Sequence, residues 1–455
     1  MPTPLFPYQE VGASWLSGRV RGGLHDEMGI GKTATTIRAL DITGATRCMI
    51  IVPAMLRGNW VREFRMFSNR PNLRICQGAN IHDFVAWQRS RFDILITSYE
   101  LATKWAPHMQ EHGEFLDAVV MDESHFLKNP DTARARAILG PNSDGVGGVV
   151  GWAERSWQLT GTPIPNDPID IFTFLKFTGC MPLNITEFRR RYFTSRPTAY
   201  GFKQSCRPEM ISELQALVGN NSLRRTKRDV GMQLPPIFLT ALSVDGDTSS
   251  VRHMMAEHPN LEEAIVEALE HGGLSFIDAQ HVATLRRLIG EAKAIPYARM
   301  LLSDLRSGQT DKRVVFGIHR AALGYVHKFL LRNKIDAVLV NGDVSDRLRG
   351  EAVDRFQSED KCRVFLGNIQ AAGTGLTLTA AHEIDLLESS WTPAGNAQAL
   401  MRVHRIGQAH NVYARLITLS GSFDEVVNKI VARKVRDIAE IEGADMLDMD
   451  AVVDL

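Results

Sequence analysis

The chain has 455 residues, 44% hydrophobic and 23% charged, and its 52 Lys+Arg balance 52 Asp+Glu to a formal net charge of zero. That profile fits a globular protein of about two to four domains and argues against one that coats nucleic acid by bulk charge, while leaving room for a local basic groove. Five cysteines (48, 76, 180, 206 and 362) form no C-x-x-C pair, so neither a zinc site nor a disulfide framework is implied and a reducing compartment fits.

The opening MPTPLFPYQE lacks the basic and apolar regions of a signal peptide. No apolar run approaches the roughly 18 residues of a membrane span, so a protein without membrane attachment is expected. Pro7-Tyr8-Gln9-Glu10 starts a helix, with Val11, Trp15 and Leu16 on apolar spacing. It reads either as an ordinary amphipathic helix or as one whose Gln9 amide, donor and acceptor at once, meets an adenine edge. Next comes Asp26-Glu27-Met28-Gly29-Ile30-Gly31-Lys32-Thr33. Gly-x-Gly-Lys-Thr is the core of a phosphate-binding loop. Its glycines let backbone N–H groups close on a β-phosphate, the following helix N-terminus adds positive potential, and Lys32 neutralises β/γ charge. Thr33 would offer its hydroxyl to Mg²⁺. The full pattern has glycine where this chain has Asp26, so a Gly-rich turn without a ligand is the other reading.

Thr33–Leu40 reads as the helix after the loop, and Cys48–Pro53, Asp93–Tyr99 and Ala118–Met121 as buried strands. Strands alternating with helices imply a parallel sheet covered on both faces, with ligands at the carboxyl ends of the strands. Asp122-Glu123-Ser124-His125 falls at such an end. Two adjacent carboxylates there are costly without a cation or a shared proton. A Mg²⁺ on Asp122, with Glu123 activating a water, resolves the cost; a solvated acidic turn is the alternative. Gly140–Gly151, with glycines at 140, 145, 147, 148 and 151, reads as a flexible surface loop. Ser156–Leu159 reads as a strand leading into Thr160-Gly161-Thr162-Pro163. Residues 168–230 read as helical and basic, with runs at Arg189–Arg191 and Arg224–Arg228 that suit either a solvated face or contact with phosphates.

In the second half, Leu234-Pro235-Pro236 marks a turn or crossover, and residues 250–305 read as helices. Strands return at Arg313–Ile318, Ala337–Val340, Arg363–Leu366, Ile384–Leu387 and Val412–Leu419, without a second phosphate loop. Ser422-x-x-Glu425 suits a capping box opening a last helix whose apolar face is Val426, Val427, Ile430, Val431 and Val435. The acidic tail is expected to be loose. Two motifs stand out: Gly373-Thr374-Gly375-Leu376, and Gln398-x-x-x-Arg402-x-x-Arg405-Ile406-Gly407-Gln408. On a helix Arg402 and Arg405 would share a face. They read as a solvated pair or as arginine fingers for the γ-phosphate of ATP.

Taken together the motifs resemble the Swi/Snf-type family of helicase-like ATPases within helicase superfamily two. The matching stretches are Tyr8-Gln9, DEMGIGKT (26–33), IIVPAMLRGNW (50–60), TSYE (97–100), DESHFLKN (122–129), LTGTPIPN (159–166) and LRRTKRDV (223–230). They continue with LPP (234–236), Gly342, Arg349, FQ (356–357), AAGTGLTLTAA (371–381), W-x-P (391–393) and QALMRVHRIGQ (398–408). An Asp26-Glu27 start is how that family writes its phosphate loop. DESHFLKN and LRRLIGEAK (285–293) look most like the annealing-helicase branch, and the lack of long insertions is similar to compact bacterial or viral versions.

The resemblance implies an α/β fold of two RecA-like lobes: lobe 1 over 1–167, a helical basic protrusion over 168–235, a helical linker or protrusion over 236–305, and lobe 2 over 306–455. It implies ATP and Mg²⁺ in the cleft between the lobes. Lys32, Asp122, Glu123, His125, Arg402 and Arg405 would be catalytic. Tyr8, Gln9, Met28, Gly29, Gly31, Lys32, Thr33 and Gly375 would surround the nucleotide, with Thr33 and Asp122 on the metal. Motif position assigns Thr97, Ser98, Thr374 and Trp391 to DNA. The expected activity is ATP-driven translocation on double-stranded or branched DNA by a monomeric cytoplasmic motor, in a bacterial or infected bacterial cell. Strand separation or annealing is the competing activity. A non-enzymatic scaffold is disfavoured by the intact Lys32, Asp122, Glu123, Arg402 and Arg405.

Overall fold

The alternation of apolar strands and helices is realised twice. The computed structural model describes residues 2–112, 115–161, 163, 168–198, 201–231, 234–271, 276–369, 376–390, 393–441 and 446–448. The chain divides into two units, Met1–Gly231 and Met232–Leu455.

In the first unit, β1 (Arg21–Leu24), β2 (Cys48–Val52), β3 (Ile75–Gln77), β4 (Ile94–Ser98), β5 (Leu116–Asp122), β6 (Ala153–Leu159) and, after a β7–β8 hairpin (Phe193–Thr198 and Gly201–Cys206), β9 (Ser222–Leu223) supply the strands. Seven form one sheet in the order β3-β4-β2-β5-β6-β1-β9, and every pairing is parallel. β2 and β4 are buried at every position, as continuous apolar runs covered on both faces must be. The period-2 alternation of side chains divides the core. Met49, Ile51, Leu95, Val119 and Met121 pack with Trp87, Trp105, Phe172 and Phe188 on one face. Ile50, Val52, Ile94, Ile96 and Val120 pack with Ile37, Leu40, Trp60 and Phe64 on the other.

The second unit repeats the plan. It contains β10 (Ile237–Val244), β11 (Arg313–Gly317), β12 (Asp336–Val340), β13 (Cys362–Asn368), β14 (Glu383–Leu386), β15 (Val412–Leu419) and β16 (Met446–Asp448). Their order is β12-β13-β11-β14-β15-β10-β16, again all parallel. Helices Ser249–Glu257, Leu261–His271 and Phe276–Ser307 precede β11. No helix among the described residues is long and apolar enough to cross a membrane.

Several local expectations change. The glycine-rich stretch 140–151 is a folded element. Gly145 N–H donates to Leu139 O (2.7 Å) and Gly151 N–H to Gly148 O (2.9 Å), while Val149 and Val150 enter the core. Its glycines are there for positive φ at 140, 145 and 147 and for close backbone approach at 148, where a Cβ would lie 2.2 Å from Gly140 N. Residues 168–231 are not purely helical, because they also carry the hairpin and β9. Within the acidic tail, Met446–Asp448 forms β16 beside β10. The last helix opens at Asp424, and Glu425 accepts from Gly421 N–H rather than from Ser422.

Candidate nucleotide site in the first unit

The register of the sheet assembles the site. Adjacent strands β5, β6 and β1 pair Asp122 with Leu159, and Leu159 with Leu24. The three ends are therefore level. From them run the acidic pair, Thr160-Gly161 and the phosphate loop, which are widely separated in sequence.

The loop has the backbone that phosphate binding requires. Gly29 and Gly31 take φ of +88° and +87°, the region that glycine enters without steric cost, and the helix Lys32–Thr43 starts directly after them. Thr33 is in its first turn. Lys32 Nζ donates to the carbonyls of Asp26 (2.8 Å) and Glu27 (3.2 Å), so the ammonium lies within its own loop. A Cβ on Gly161 would meet Met28 Cγ at 2.6 Å and Lys32 Nζ at 3.4 Å, which places the β6 turn against the loop. Tyr8 Oη and Gln9 Nε2 both donate to Ile30 O, at 3.0 and 3.2 Å, while Gln9 Oε1 accepts from Phe6 N–H at 3.0 Å. Here the Gln9 amide ties the first helix to the loop.

Asp122 is buried at the end of β5. It accepts from Trp60 Nε1 (2.8 Å) and from Glu123 N–H (2.9 Å). Burial, and then the neighbouring Glu123 charge, push its carboxyl up to about 7. Glu123 adopts a left-handed backbone, φ 51° and ψ 49°, a strained state for a non-glycine residue that recurs at functional sites. His125 Nδ1 lies 3.3 Å from Glu123 Oε2 and 3.4 Å from Thr160 Oγ1, which links the β5 and β6 turns. His25, just before the loop, is buried against the Phe174 ring, and burial depresses it to about 3.

These residues fit Mg²⁺ and a nucleoside triphosphate. The described residues contain no cluster of three or more His, Cys, Asp or Glu suited to a metal. Mg²⁺ in phosphate sites, however, is held by one or two protein groups together with phosphates and water, and Thr33 and Asp122 suffice as that pair. A buried carboxylate with a raised pKa is the group that a cation would relieve.

Other expected residues fall elsewhere. Thr97 and Ser98 end the interior strand β4 at 0% and 3% exposure, and Ser98 Oγ accepts from Leu101 N–H. Both side chains are buried at this strand end. Thr374, Gly375 and Trp391 lie outside the described residues. The helix Pro393–Leu400 ends before Arg402, so Arg402 and Arg405 are on successive turns rather than one helical face. Arg402 Nε donates to Gln398 O (3.1 Å) and Arg405 Nη1 to Leu376 O (3.2 Å). The Arg224–Arg228 run is not a uniform basic face, because Arg225 pairs with Asp26, and Lys227 with Glu27 at 2.7 Å. Trp60 was legible only as part of the family-like stretch 50–60; its grip on Asp122 had no signal of its own.

A phosphate loop on a parallel sheet, level with an acidic pair and a Thr-Gly turn, defines a nucleotide-binding module of the helicase-like ATPase class. Residues 8–247 match the SNF2-related domain and residues 296–407 the helicase conserved C-terminal domain. The chain belongs to the SNF2-related family. It is 27% identical over 97% of its length to the DNA annealing helicase and endonuclease ZRANB3 of Homo sapiens, of which it covers 40%. It is 25% identical over 96% of its length to the Drosophila melanogaster SWI/SNF-related matrix-associated actin-dependent regulator of chromatin subfamily A-like protein 1, of which it covers 56%. The chain thus spans about half the length of these curated relatives. A Sulfolobus solfataricus SWI2/SNF2 ATPase core in complex with dsDNA aligns over 98% of this chain and 94% of its own, at 21% identity and a TM-score of 0.44.

Proposed function

We propose that this chain is a DNA-dependent ATPase that turns ATP hydrolysis into movement along double-stranded or branched DNA. The observation that carries the reading is the convergence of Lys32, Asp122, Glu123 and Thr160-Gly161 at one edge of one sheet. The phosphate loop and Lys32 bind and orient the triphosphate. Mg²⁺ on Thr33 and Asp122 would neutralise charge on its β- and γ-phosphates. Glu123, oriented by His125, takes the proton of the attacking water. Arg402 and Arg405 of the second unit supply positive charge to the γ-phosphate during turnover. A conformational step coupled to hydrolysis then drives the motor stepwise. Similarity to a DNA annealing helicase and endonuclease supports DNA as the substrate, and motion along a backbone needs mainly phosphate contacts, with little sequence preference. The same similarity favours one extension of the reading, re-annealing of separated strands.

The test is ATP turnover with matched duplex DNA, single-stranded DNA and RNA, followed by displacement of a third strand from a triplex. Stimulation by duplex, weakened by salt, together with triplex displacement is expected. Stimulation by RNA alone, or unwinding of a forked duplex without triplex displacement, would replace the translocase with a strand-separating helicase.

A further inference from the structure

Asp26 and Glu27 open the phosphate loop at 1% and 2% exposure. Carboxylates so buried need partners. Theirs come from about two hundred residues further along the chain. Arg225 approaches Asp26 as a fork, with Nε 3.1 Å from Oδ1 and Nη2 on Oδ2. Lys227 takes both oxygens of Glu27, its Nζ 2.7 Å from Oε1 and its backbone N–H 2.7 Å from Oε2. The backbones run together too: His25 N–H donates to Leu223 O (2.8 Å) and Glu27 N–H to Arg225 O (2.9 Å), continuing the β1–β9 pairing. Side chains therefore alternate along the segment, with Arg225 and Lys227 turned to the loop while Arg224 and Arg228 are exposed.

Arg225 also joins the loop to the first helix. It donates to Tyr8 O, its guanidinium carbon lies 5.5 Å from the Tyr8 ring centroid, and it occupies the space where a Cβ on Gly12 would sit. Tyr8 and Gln9 in turn hold Ile30 O. The loop is thus gripped at its start by Arg225 and Lys227 and in its middle by Tyr8 and Gln9, and Arg225 connects the two grips. Four residues beyond Lys227 the first unit ends, at Gly231.

We propose that Arg225 and Lys227 are positioning residues that clasp the phosphate loop in its nucleotide-binding shape and tie that shape to the segment by which the chain leaves the first unit. The proposal rests on the reading of the loop as an ATP site. Removing Lys227 alone would strand a buried carboxylate and risk unfolding. The informative variants are Glu27→Gln with Lys227→Met, which leaves neither member of that pair charged, and Arg225→Lys, which keeps the charge but loses the fork. In the full chain, with duplex DNA present, both should raise the KM for ATP about tenfold while kcat at saturation stays within about threefold, the signature of lost binding without lost chemistry. The rise in melting temperature that ADP produces should shrink in parallel. An unchanged KM in the variants that fold, or a fall in kcat at constant KM, overturns the clasp, whatever happens to melting temperature without nucleotide. A parent chain that neither binds nor hydrolyses ATP would instead overturn the reading beneath it.

Discussion

Asp122 has to carry a negative charge in a place with little water. Two donors, Trp60 Nε1 and Glu123 N–H, do not offset its burial beside Glu123, and the carboxyl rises from 3.8 to about 7. Between those limits the folded chain holds a proton that the unfolded chain has released, so this residue lowers stability as pH rises through that window. Asp122→Asn removes the titration. Without Mg²⁺, its melting temperature relative to the parent should climb from about pH 4 to about pH 7, and added Mg²⁺ should narrow the gap. A gap that ignores both pH and Mg²⁺ would remove the cation from this position. Glu123→Gln should still bind ATP, since Lys32, Thr33 and Asp122 remain, yet turn it over roughly 10²–10⁴-fold more slowly, the usual loss of a general base. Parent-like turnover would exclude that role. These residues were readable in the sequence because their chemistry is local: Gly-x-Gly-Lys-Thr and Asp-Glu each lie within a few residues. The Arg224–Arg228 run was not. Whether such a run faces water depends on carboxylates about two hundred positions earlier, and nothing in its own composition points to them.

At the scale of elements, strands announced themselves wherever apolar runs were continuous, as in CMIIV and ILITS. Shorter strands such as β3 and β9, at three and two residues, carry too little pattern to read. The glycine-rich stretch shows a different limit. Composition alone cannot separate glycines that permit motion from glycines that permit close packing. Here the packing decides. Gly148→Ala would force a Cβ to within 2.2 Å of Gly140 N and 2.6 Å of Ile138 O, and should cost about 1–3 kcal/mol of stability, the scale of overpacking a core. Gly219, inside the helix Ile211–Asn221, has nothing within 4 Å of a built Cβ. Gly219→Ala should therefore gain about 0.5–1 kcal/mol through helix propensity. Denaturant midpoints measure both, and equal effects at the two sites would mean that the 140–151 element is loose after all.

At the scale of the whole molecule, one unit holds the phosphate loop and the other holds Arg402 and Arg405. Three-residue spacing would put the pair on one face of a helix; Leu400 ends the helix, and the backbone turns instead. Spacing reports a shared face only where a helix exists. Arg405→Ala should leave ADP-induced stabilisation of the chain near the parent's while cutting turnover by about 10²-fold or more, the scale of a lost transition-state charge contact. Unchanged turnover would place the arginines outside the hydrolytic step.

The order of strands in the first unit also sets the order of its birth. β1, which delivers the phosphate loop, is seated between β6 and β9, whose residues follow it by well over a hundred positions. Pairings of such long sequence separation form slowly, and on a ribosome they cannot form before the later strand has emerged. A nascent chain stopped short of Leu223 therefore holds a complete Gly-x-Gly-Lys-Thr sequence with only one of its two neighbouring strands in place. Its ability to retain nucleotide should appear abruptly, once residues 222–227 have cleared the exit tunnel, and not gradually with length.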